Sequence, residues 1–281
     1  MDIGRKNKES FWPSYVDIMT TLFAVMLILF AVSYARFKLK KGQLEMLVNE
    51  YKDIIDVYST VDSIDNSGYY AYDTQYLKHT LTVSIAYQDK EYDISSKLKY
   101  DLTDKRKADE KRDSIRQAGL LVQNIIYDLE KSNSDSKNIK FLVVIEGQSS
   151  KIPFNDNDWQ NNETLSFLRA KFLRKFWTDP VSEGGCGLFQ HTSENDADSK
   201  CEIIVAGSGE GGVPRYFYKG GENPITLNPN EAKYKTINEV TPQEFLAWRD
   251  VEQQNQRFLI NIIPIIGNID VTKAKFENIK K

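Results

Sequence analysis

The stretch YVDIMTTLFAVMLILFAVSY, residues 15–34, decides the class of this chain. As an α-helix it would rise about 30 Å, which is the thickness of the hydrocarbon core of a bilayer. Trp12, Tyr15 and Tyr34 flank the apolar run, where aromatic side chains are common at the membrane interface. The sequence therefore predicts one membrane-spanning helix near the start of the chain.

A cleaved signal peptide is the alternative explanation of this stretch. Arg5, Lys6 and Lys8 would form its basic start, and Ser-Tyr-Ala at residues 33–35 would be a cleavage site with small residues. However, the apolar run is long for a signal sequence. A signal peptide also has no use for an acidic residue such as Asp17 near the start of that run. We therefore expect the helix to remain part of the protein.

The rest of the composition is that of an ordinary globular protein. The chain has 281 residues, of which 27% are charged and 41% hydrophobic, enough for one or two domains with buried cores. Its net charge of -3 argues against a nucleic-acid partner, because nucleic-acid-binding domains usually carry a concentrated basic face. The cysteines and histidines fit no common zinc motif, so we expect no metal and no organic cofactor.

One acidic residue, Asp17, lies inside the apolar stretch. A charge at the centre of a membrane helix costs about 2.5–3.5 kcal/mol on insertion scales, so it usually faces a partner or a water-filled path. On a helix its face also carries Ser14, Thr20 and Thr21. A carboxylate among hydroxyl groups can take up a proton or hold Na⁺, and these residues are the predicted ion site. The alternative is that Asp17 lies near enough to the interface to be hydrated or to pair with a basic neighbour.

Apolar residues continue at three- and four-residue steps after the span. The positions are Phe37, Leu44, Leu47, Tyr51, Ile54, Tyr58 and Val61, with Lys40 in one seam position. This heptad pattern predicts a parallel, dimeric coiled coil. A surface helix that packs on its own domain is the alternative.

Strand and helix patterns alternate from residue 80 onward. The predicted strands cover residues 81–87, 139–145, 202–206 and 258–263, and the predicted helices cover residues 115–129 and 165–177. Such an alternation favours an α+β fold with an α/β sandwich domain.

The predicted organisation of the chain has four parts. These are a cytoplasmic tail at residues 1–10, a transmembrane helix at 11–36, a coiled coil and connector at 37–79, and the sandwich domain at 80–281.

The residues around Asp17 resemble a known signature. Phe11-Trp12, Ser14-Tyr15, Asp17 and Met19-Thr20 form FW-x-SY-x-D-x-MT. This string is similar to the Y-x-D-x-M-T signature of MotB-type stator subunits and, in its longer form, to the ZorB family of the Zorya anti-phage system. The resemblance implies that Asp17 carries the coupling ion, H⁺ or Na⁺. It also implies a homodimer whose helices lie inside a pentameric ring of a MotA-like or ZorA-like membrane subunit.

The domain from residue 80 resembles the OmpA-like peptidoglycan-binding domain at three places. The matching strings are VVIEG at 143–147 followed by N-x-x-LS-x-x-RA at 162–170, IVAGSG at 204–209, and NQRF at 255–258. The resemblance implies an OmpA-like sandwich that binds peptidoglycan.

In that family an arginine and an aspartate hold the carboxylates and the amine of the cell-wall peptide. The arginine corresponds to Arg169, whose guanidinium group can hold a carboxylate in a bidentate fork. The aspartate's place, three residues after Gly147, is occupied by Ser150. The family's amine-binding carboxylate is therefore absent from that position.

The long turn after Ser150 carries two acids, Asp156 and Asp158, that are candidates to replace the missing carboxylate. Asn162, at the start of the following helix, completes the candidate peptidoglycan-binding set. Each residue also has a plainer explanation. Asp156 and Asp158 would be solvated loop charges, Asn162 or Thr164 would cap the helix, and Arg169 would pack on the surface of its domain.

An insertion at residues 179–200 is rich in glycine, serine and acidic residues and is expected to be a surface loop. If the domain lies outside the cytoplasm, Cys186 and Cys201 would form a disulfide that closes this loop. The glycine string at 207–212 lacks the lysine and hydroxyl residue of a phosphate-binding loop, so a tight turn is predicted there.

The sequence offers no convincing nucleophile, acid–base or metal constellation, so we expect a transporter component rather than an enzyme. The expected function is that of an ion-binding stator-type subunit in a membrane rotary motor anchored to the cell wall, in the manner of a ZorB-like defence component. The expected location is the bacterial inner membrane, with the N-terminus cytoplasmic and the C-terminal domain periplasmic. The alternatives are a flagellar MotB-like subunit and a passive OmpA-like protein that tethers the wall.

Overall fold

The computed structural model describes residues 12–62, 64, 67–75, 78–132, 139–154, 160–192, 199–211, 215–221, 224–227 and 234–266. The chain divides into two compact units, one ending at Ile54 and the other running from Ile55 to Asn268. The second unit combines helices with a mixed sheet, so the predicted α+β class is confirmed.

The first helix, α1, runs from Trp12 to Asp62. Its N-terminal part is long and apolar enough to cross a membrane, by length and composition, with a mean hydropathy of 2.2 in the best window. None of that window is buried by the chain itself, and side chains such as Phe23 and Leu29 are exposed. Exposed apolar surface of this extent indicates lipid or partner helices as its surroundings.

The helical part of the heptad prediction is confirmed, because α1 continues through this segment. Phe37, Leu44, Leu47 and Tyr51 are all exposed. The side chains of the remaining seam positions, Ile54, Tyr58 and Val61, lie outside the described residues. Pairing of two copies stays a prediction.

The second unit is built on a five-stranded sheet with the order β1-β2-β7-β3-β4. The strands are β1 (Tyr70–Asp73), β2 (Lys78–Leu81), β3 (Ile139–Gly147), β4 (Cys201–Gly207) and β7 (Phe258–Ile266). β3 and β4 are parallel, whereas β7 lies antiparallel to both β3 and β2. The central strands β3 and β7 read as nearly continuous apolar runs, as expected for strands with neighbours on both sides.

Two helices cover the sheet: α2 (Lys105–Ser132) and α3 (Asn162–Thr178). The buried indole of Trp177 on α3 donates a hydrogen bond to the carbonyl of Ile115 on α2 at 2.9 Å. Phe141, Val143 and Ile145 alternate along β3 as fully buried residues of the same core. The predicted helix and strand patterns in these segments are therefore confirmed by their burial.

A second, smaller apolar cluster lies beside the main core. It joins the hairpin of β5 (Phe217–Tyr218) and β6 (Ile225–Thr226) to the helix α4 (Phe245–Gln254). Tyr218, Trp248 and Val251 are its buried members. The sequence patterns did not predict α4 or this hairpin.

The prediction of a strand at 81–87 is wrong beyond Leu81, where β2 ends. The alternation still has a structural cause, since Leu81, Ile85 and Tyr87 are buried. Tyr87 forms an isolated bridge to Leu98 instead of a ladder. The segment after Leu81 therefore buries alternate side chains, as a strand does, but it does not pair with a neighbouring strand in a sheet.

Three further details differ from the sequence predictions. The segment expected to be a connector contains β1. The N-cap of α3 is Asn161, whose side chain accepts a hydrogen bond from Thr164 N at 2.9 Å, so neither Asn162 nor Thr164 is the cap. The insertion after α3 is not a plain surface loop, because Leu188 and Phe189 are buried against the main core. Their backbone bonds to Trp177 and to the Gln123 side chain hold them there.

Candidate functional site

The predicted ion site lies in the first turns of α1, where Ser14, Asp17, Thr20 and Thr21 share one face of the helix. Thr20 Oγ1 donates to the carbonyl oxygens of Val16 at 2.8 Å and Asp17 at 3.0 Å. Thr21 Oγ1 also donates to the Asp17 carbonyl. Because the hydroxyl protons point to the backbone, the hydroxyl lone pairs remain as acceptors beside the carboxylate. Such oxygen groups suit a proton carrier or a Na⁺ ligand set, and ion binding itself stays a prediction.

The other predicted site is a cleft at one edge of the sheet, where β3 and β4 end and β7 begins. Gly147 lies opposite Gly207 in the β3–β4 register and opposite Phe258 in the β3–β7 register. Beyond the ladder, Gln148 N donates to Arg257 O at 2.9 Å and Ser149 N donates to Gly209 O at 2.8 Å. The strings at 143–147, 204–209 and 255–258 therefore meet in space. The start of α3 joins them, because Ser166 Oγ accepts from Gly209 N at 2.9 Å.

Arg169 and Ser150, two of the residues compared with the peptidoglycan-binding family, line the same cleft. The cleft is small, with a volume of about 20 Å³ that would hold roughly one water molecule, and its wall also includes Tyr87, Lys90 and Gln256. Ser150 is buried and accepts a hydrogen bond from Gln256 Nε2 at 3.3 Å. The cleft therefore combines one buried cation with hydroxyl and amide groups.

The Arg169 side chain is only 2% exposed. Its guanidinium carbon lies 4.6 Å from the centre of the Tyr87 ring, and its Nε and Nη2 atoms both donate to the Glu91 carbonyl at 3.3 Å. Within the described part of the chain, Nη1 has no hydrogen-bond partner. A buried guanidinium nitrogen without a partner is costly, but less than 1 Å² of this atom is exposed, so a ligand oxygen reaches it only after the surrounding side chains move.

Burial lowers the pKa of Arg169 to about 10, and the neighbouring Tyr87 opposes that shift. The guanidinium is therefore still charged at neutral pH. The same burial raises the pKa of the Tyr87 hydroxyl well above its ordinary value, so the phenol stays neutral. The acidic residue of the cleft wall, Asp89, forms an ion pair with Arg249. The buried positive charge favours a carboxylate as the ligand of this cleft, and binding of one stays a prediction.

The other predicted site residues are arranged differently. Asn162 does not line the cleft, and its Nδ2 donates to Glu210 Oε1 in the glycine turn at 3.1 Å. Asp156 and Asp158 lie outside the described residues, so their role stays a prediction.

Cys186 and Cys201 are free thiols in this structure. Their pKa values are raised to about 11 and about 12, in both cases mainly by burial. The disulfide between them stays a prediction.

Several residues of this edge were missed by sequence reasoning. Tyr87, Lys90 and Gln256 line the cleft, and a buried ion pair of Arg215 and Glu252 lies behind it. Among these missed residues, Gln256 alone belongs to a segment already compared with a known family, the string NQRF at 255–258. The others come from segments with no recognisable pattern.

The predicted tight turn at the glycine string is confirmed over its described part, since Gly209 has a φ of 56° and Gly211 N donates to Ser208 O at 2.8 Å.

Across the described residues, no group of three or more histidine, cysteine, aspartate or glutamate residues is arranged to hold a metal ion. No model of a known protein family matches the sequence, and no curated protein matches it.

Proposed function

We propose that this chain is the ion-binding subunit of a MotB-type membrane rotary motor, with Asp17 as the carrier of H⁺ or Na⁺. The observation that carries the proposal is the composition of α1. It places a carboxylate and hydroxyl groups on one face of a helix whose following turns are apolar and exposed in the part of the chain that the structure describes. An acid in such a helix requires a partner or a water-filled path.

The partners follow from the same resemblance that singles out Asp17. Two copies of α1 would pair through the heptad positions, and the pair would lie inside a pentameric ring of a MotA-like or ZorA-like subunit. Ions that bind and leave Asp17 would then turn the ring one step at a time. The chain makes and breaks no covalent bond in this scheme other than the O–H bond of Asp17 when the ion is H⁺.

We propose further that the second unit is an OmpA-like domain that anchors the pair to peptidoglycan. The supporting observation is the convergence of the compared strings at one sheet edge, around a buried Arg169 whose Nη1 atom has no hydrogen-bond partner among the described residues. A carboxylate of the wall peptide would fill that place through charge-assisted hydrogen bonds. In this proposal the chain lies in the bacterial inner membrane with its N-terminus in the cytoplasm and this unit in the periplasm.

The form FW-x-SY-x-D-x-MT favours a role like that of ZorB in anti-phage defence. A flagellar motor subunit is the second candidate with the same mechanism. A passive OmpA-like tether, in which Asp17 has no ionic role, is the candidate from a different class.

The test compares phage plating on cells that carry the partner genes with the wild type, with Asp17→Asn, or with Glu45→Gln. The control, Glu45, is an exposed acid of the same helix that forms an i,i+4 pair with Lys41. All three proteins are brought to equal amounts in the membrane.

The proposal predicts that Asp17→Asn abolishes protection, whereas Glu45→Gln protects like the wild type. Full protection by Asp17→Asn would exclude an ion-carrying role. If the wild type itself gives no protection, the defence role is excluded, and the same variants are then compared for motility.

A further inference from the structure

The strongest unassigned feature of the second unit is a buried ion pair behind the Arg169 cleft. Arg215 lies between β4 and β5, and Glu252 lies on α4. Arg215 Nη2 lies 2.9 Å from Glu252 Oε2, and the two side chains are only 9% and 5% exposed. Removing one partner from such a pair leaves an uncompensated buried charge and typically costs about 3–5 kcal/mol, whereas the complete pair adds little net stability. The pair therefore calls for a reason other than stability.

That reason lies in what the two side chains hold besides each other. Arg215 Nη1 donates to the carbonyl of Ser149 at 2.8 Å, and Glu252 Oε2 accepts from the amide of Lys151 at 2.7 Å. The ion pair therefore fixes the backbone on both sides of Ser150. Ser150 is the residue that enters the cleft beside Arg169.

The same two side chains connect the other walls of this sheet edge. Arg215 Nη1 also donates to the carbonyl of Glu210 in the glycine turn at 3.1 Å. Glu252 is four residues before Gln256, whose amide donates to Ser150 Oγ. Asn255 secures the segment of Arg215 through two bonds to the Tyr216 backbone, at 2.7 and 3.0 Å. A shift of either charged side chain would therefore move Ser150 relative to Gln256 and Arg169.

We propose that Arg215 and Glu252 are positioning residues for the ligand of the Arg169 cleft. They keep the Ser150 hydroxyl and the Gln256 amide beside it in register with the guanidinium, so that one carboxylate of the ligand meets these groups together. This inference rests on the proposed function of the cleft in binding peptidoglycan. Receptor groups that are held by a second layer of hydrogen bonds bind more tightly than groups that must be ordered at the moment of binding.

The test measures binding of the full-length chain in detergent to purified peptidoglycan sacculi, together with its unfolding temperature. The key variant is the double substitution Arg215→Met and Glu252→Met, which removes both charges and keeps side chains of similar length. An apolar replacement avoids an unpaired buried charge, but the Ser149 and Glu210 carbonyls and the Lys151 amide lose their partners, so some loss of stability follows. Arg169→Gln tests whether the cleft binds the ligand. Arg215→Lys keeps the positive charge, but an ammonium group lacks the planar guanidinium that bonds the Ser149 and Glu210 carbonyls and the Glu252 carboxylate together.

We expect the double variant to be less stable than the wild type but folded at the temperature of the binding assay, and to bind sacculi about tenfold more weakly, a loss of about 1.4 kcal/mol. Arg169→Gln should lose binding, and Arg215→Lys should lie between the double variant and the wild type. If Arg169→Gln loses binding while the double variant binds like the wild type, the positioning role is overturned and the cleft stands. If Arg169→Gln itself binds like the wild type, the cleft is not the wall site and both proposals fail. If the double variant unfolds early, wild-type binding by Arg215→Lys overturns the positioning role.

Discussion

At the scale of single residues, two glycines explain how Arg169 reaches its cleft. A Cβ atom at Gly147 would lie 2.2 Å from the carbonyl oxygen of Ser166, and one at Gly207 would lie 2.6 Å from the amide nitrogen of Phe167. The start of α3 therefore packs directly on the ends of β3 and β4. This close approach brings Arg169, on the next turn of α3, to the sheet edge.

Gly147→Ala should be strongly destabilising, because backbone atoms and not a flexible side chain occupy the space of the new methyl group. We expect a loss of about 3 kcal/mol or more in the free energy of unfolding. Denaturant unfolding of the full-length chain measures this loss. Gly68→Ala is the control: its φ of 75° is strained for alanine but nothing lies within 4 Å, so about 1–2 kcal/mol is expected. Equal costs for the two variants would contradict the close approach.

The candidate cleft was predictable from the sequence only in part. Arg169 and Ser150 were found because they stand at fixed distances from recognisable strings, and the structure does bring them together. Tyr87 and Glu252 were not found from the sequence, because their place in the site depends on contacts between segments far apart in the chain. No local pattern records such contacts. The one missed residue with a local signal was Gln256.

At the scale of elements, the contact of α2 with α3 has a single tight point. Gly119 on α2 faces Trp177 on α3, and a Cβ atom there would lie 2.5 Å from the indole nitrogen. The indole is fully buried and bonded to the Ile115 carbonyl, so it has no room to move away. The glycine is therefore needed for helix packing, although glycine weakens an isolated helix.

Gly119→Ala decides between these two effects. Helix propensity alone would stabilise the protein by about 1 kcal/mol, whereas overpacking against Trp177 would destabilise it by about 1–3 kcal/mol. We expect a net loss, measured by denaturant unfolding. The same change in a Trp177→Phe background should cost less, since the closest indole atom is then absent. A net gain for Gly119→Ala in the wild-type background would refute the close contact.

The elements themselves were predicted best where the pattern was long. Runs such as 139–145 and 165–177 lie within β3 and α3. The alternation after Leu81 was misleading, because burial of every second side chain does not require a paired neighbour strand. α4 was missed because its buried apolar residues, Trp248 and Val251, are too few to show a helical period.

The heptads of α1 give an element-scale prediction about pairing. Leu47 is a seam position and Val48 is not, yet both side chains are exposed in the single chain, at 53% and 57%. In a background without Cys186 and Cys201, Leu47→Cys should form a disulfide-linked dimer in membranes under mild oxidation, and Val48→Cys should not. Non-reducing gel electrophoresis measures the dimer. Equal cross-linking at both positions would argue against a parallel coiled coil.

At the scale of the whole molecule, the two units carry the two halves of the proposed function. The first holds the carboxylate in an apolar helix, and the second holds a buried guanidinium at a sheet edge. The proposed motor needs both, one to take up ions and one to resist rotation by holding the wall. A passive tether would need only the second.

The most direct test of the central claim is reaction of Asp17 with a hydrophobic carbodiimide in native membranes, followed by mass spectrometry of the modified peptides. Such reagents modify protonated carboxyl groups in apolar surroundings. We predict that Asp17 is modified, and that added Na⁺ protects Asp17 if sodium is the coupling ion. The exposed Asp113 of α2, which is paired with Arg116, should remain unmodified. Modification of Asp17 no greater than that of Asp113 would contradict an ion-carrying carboxyl group in the membrane.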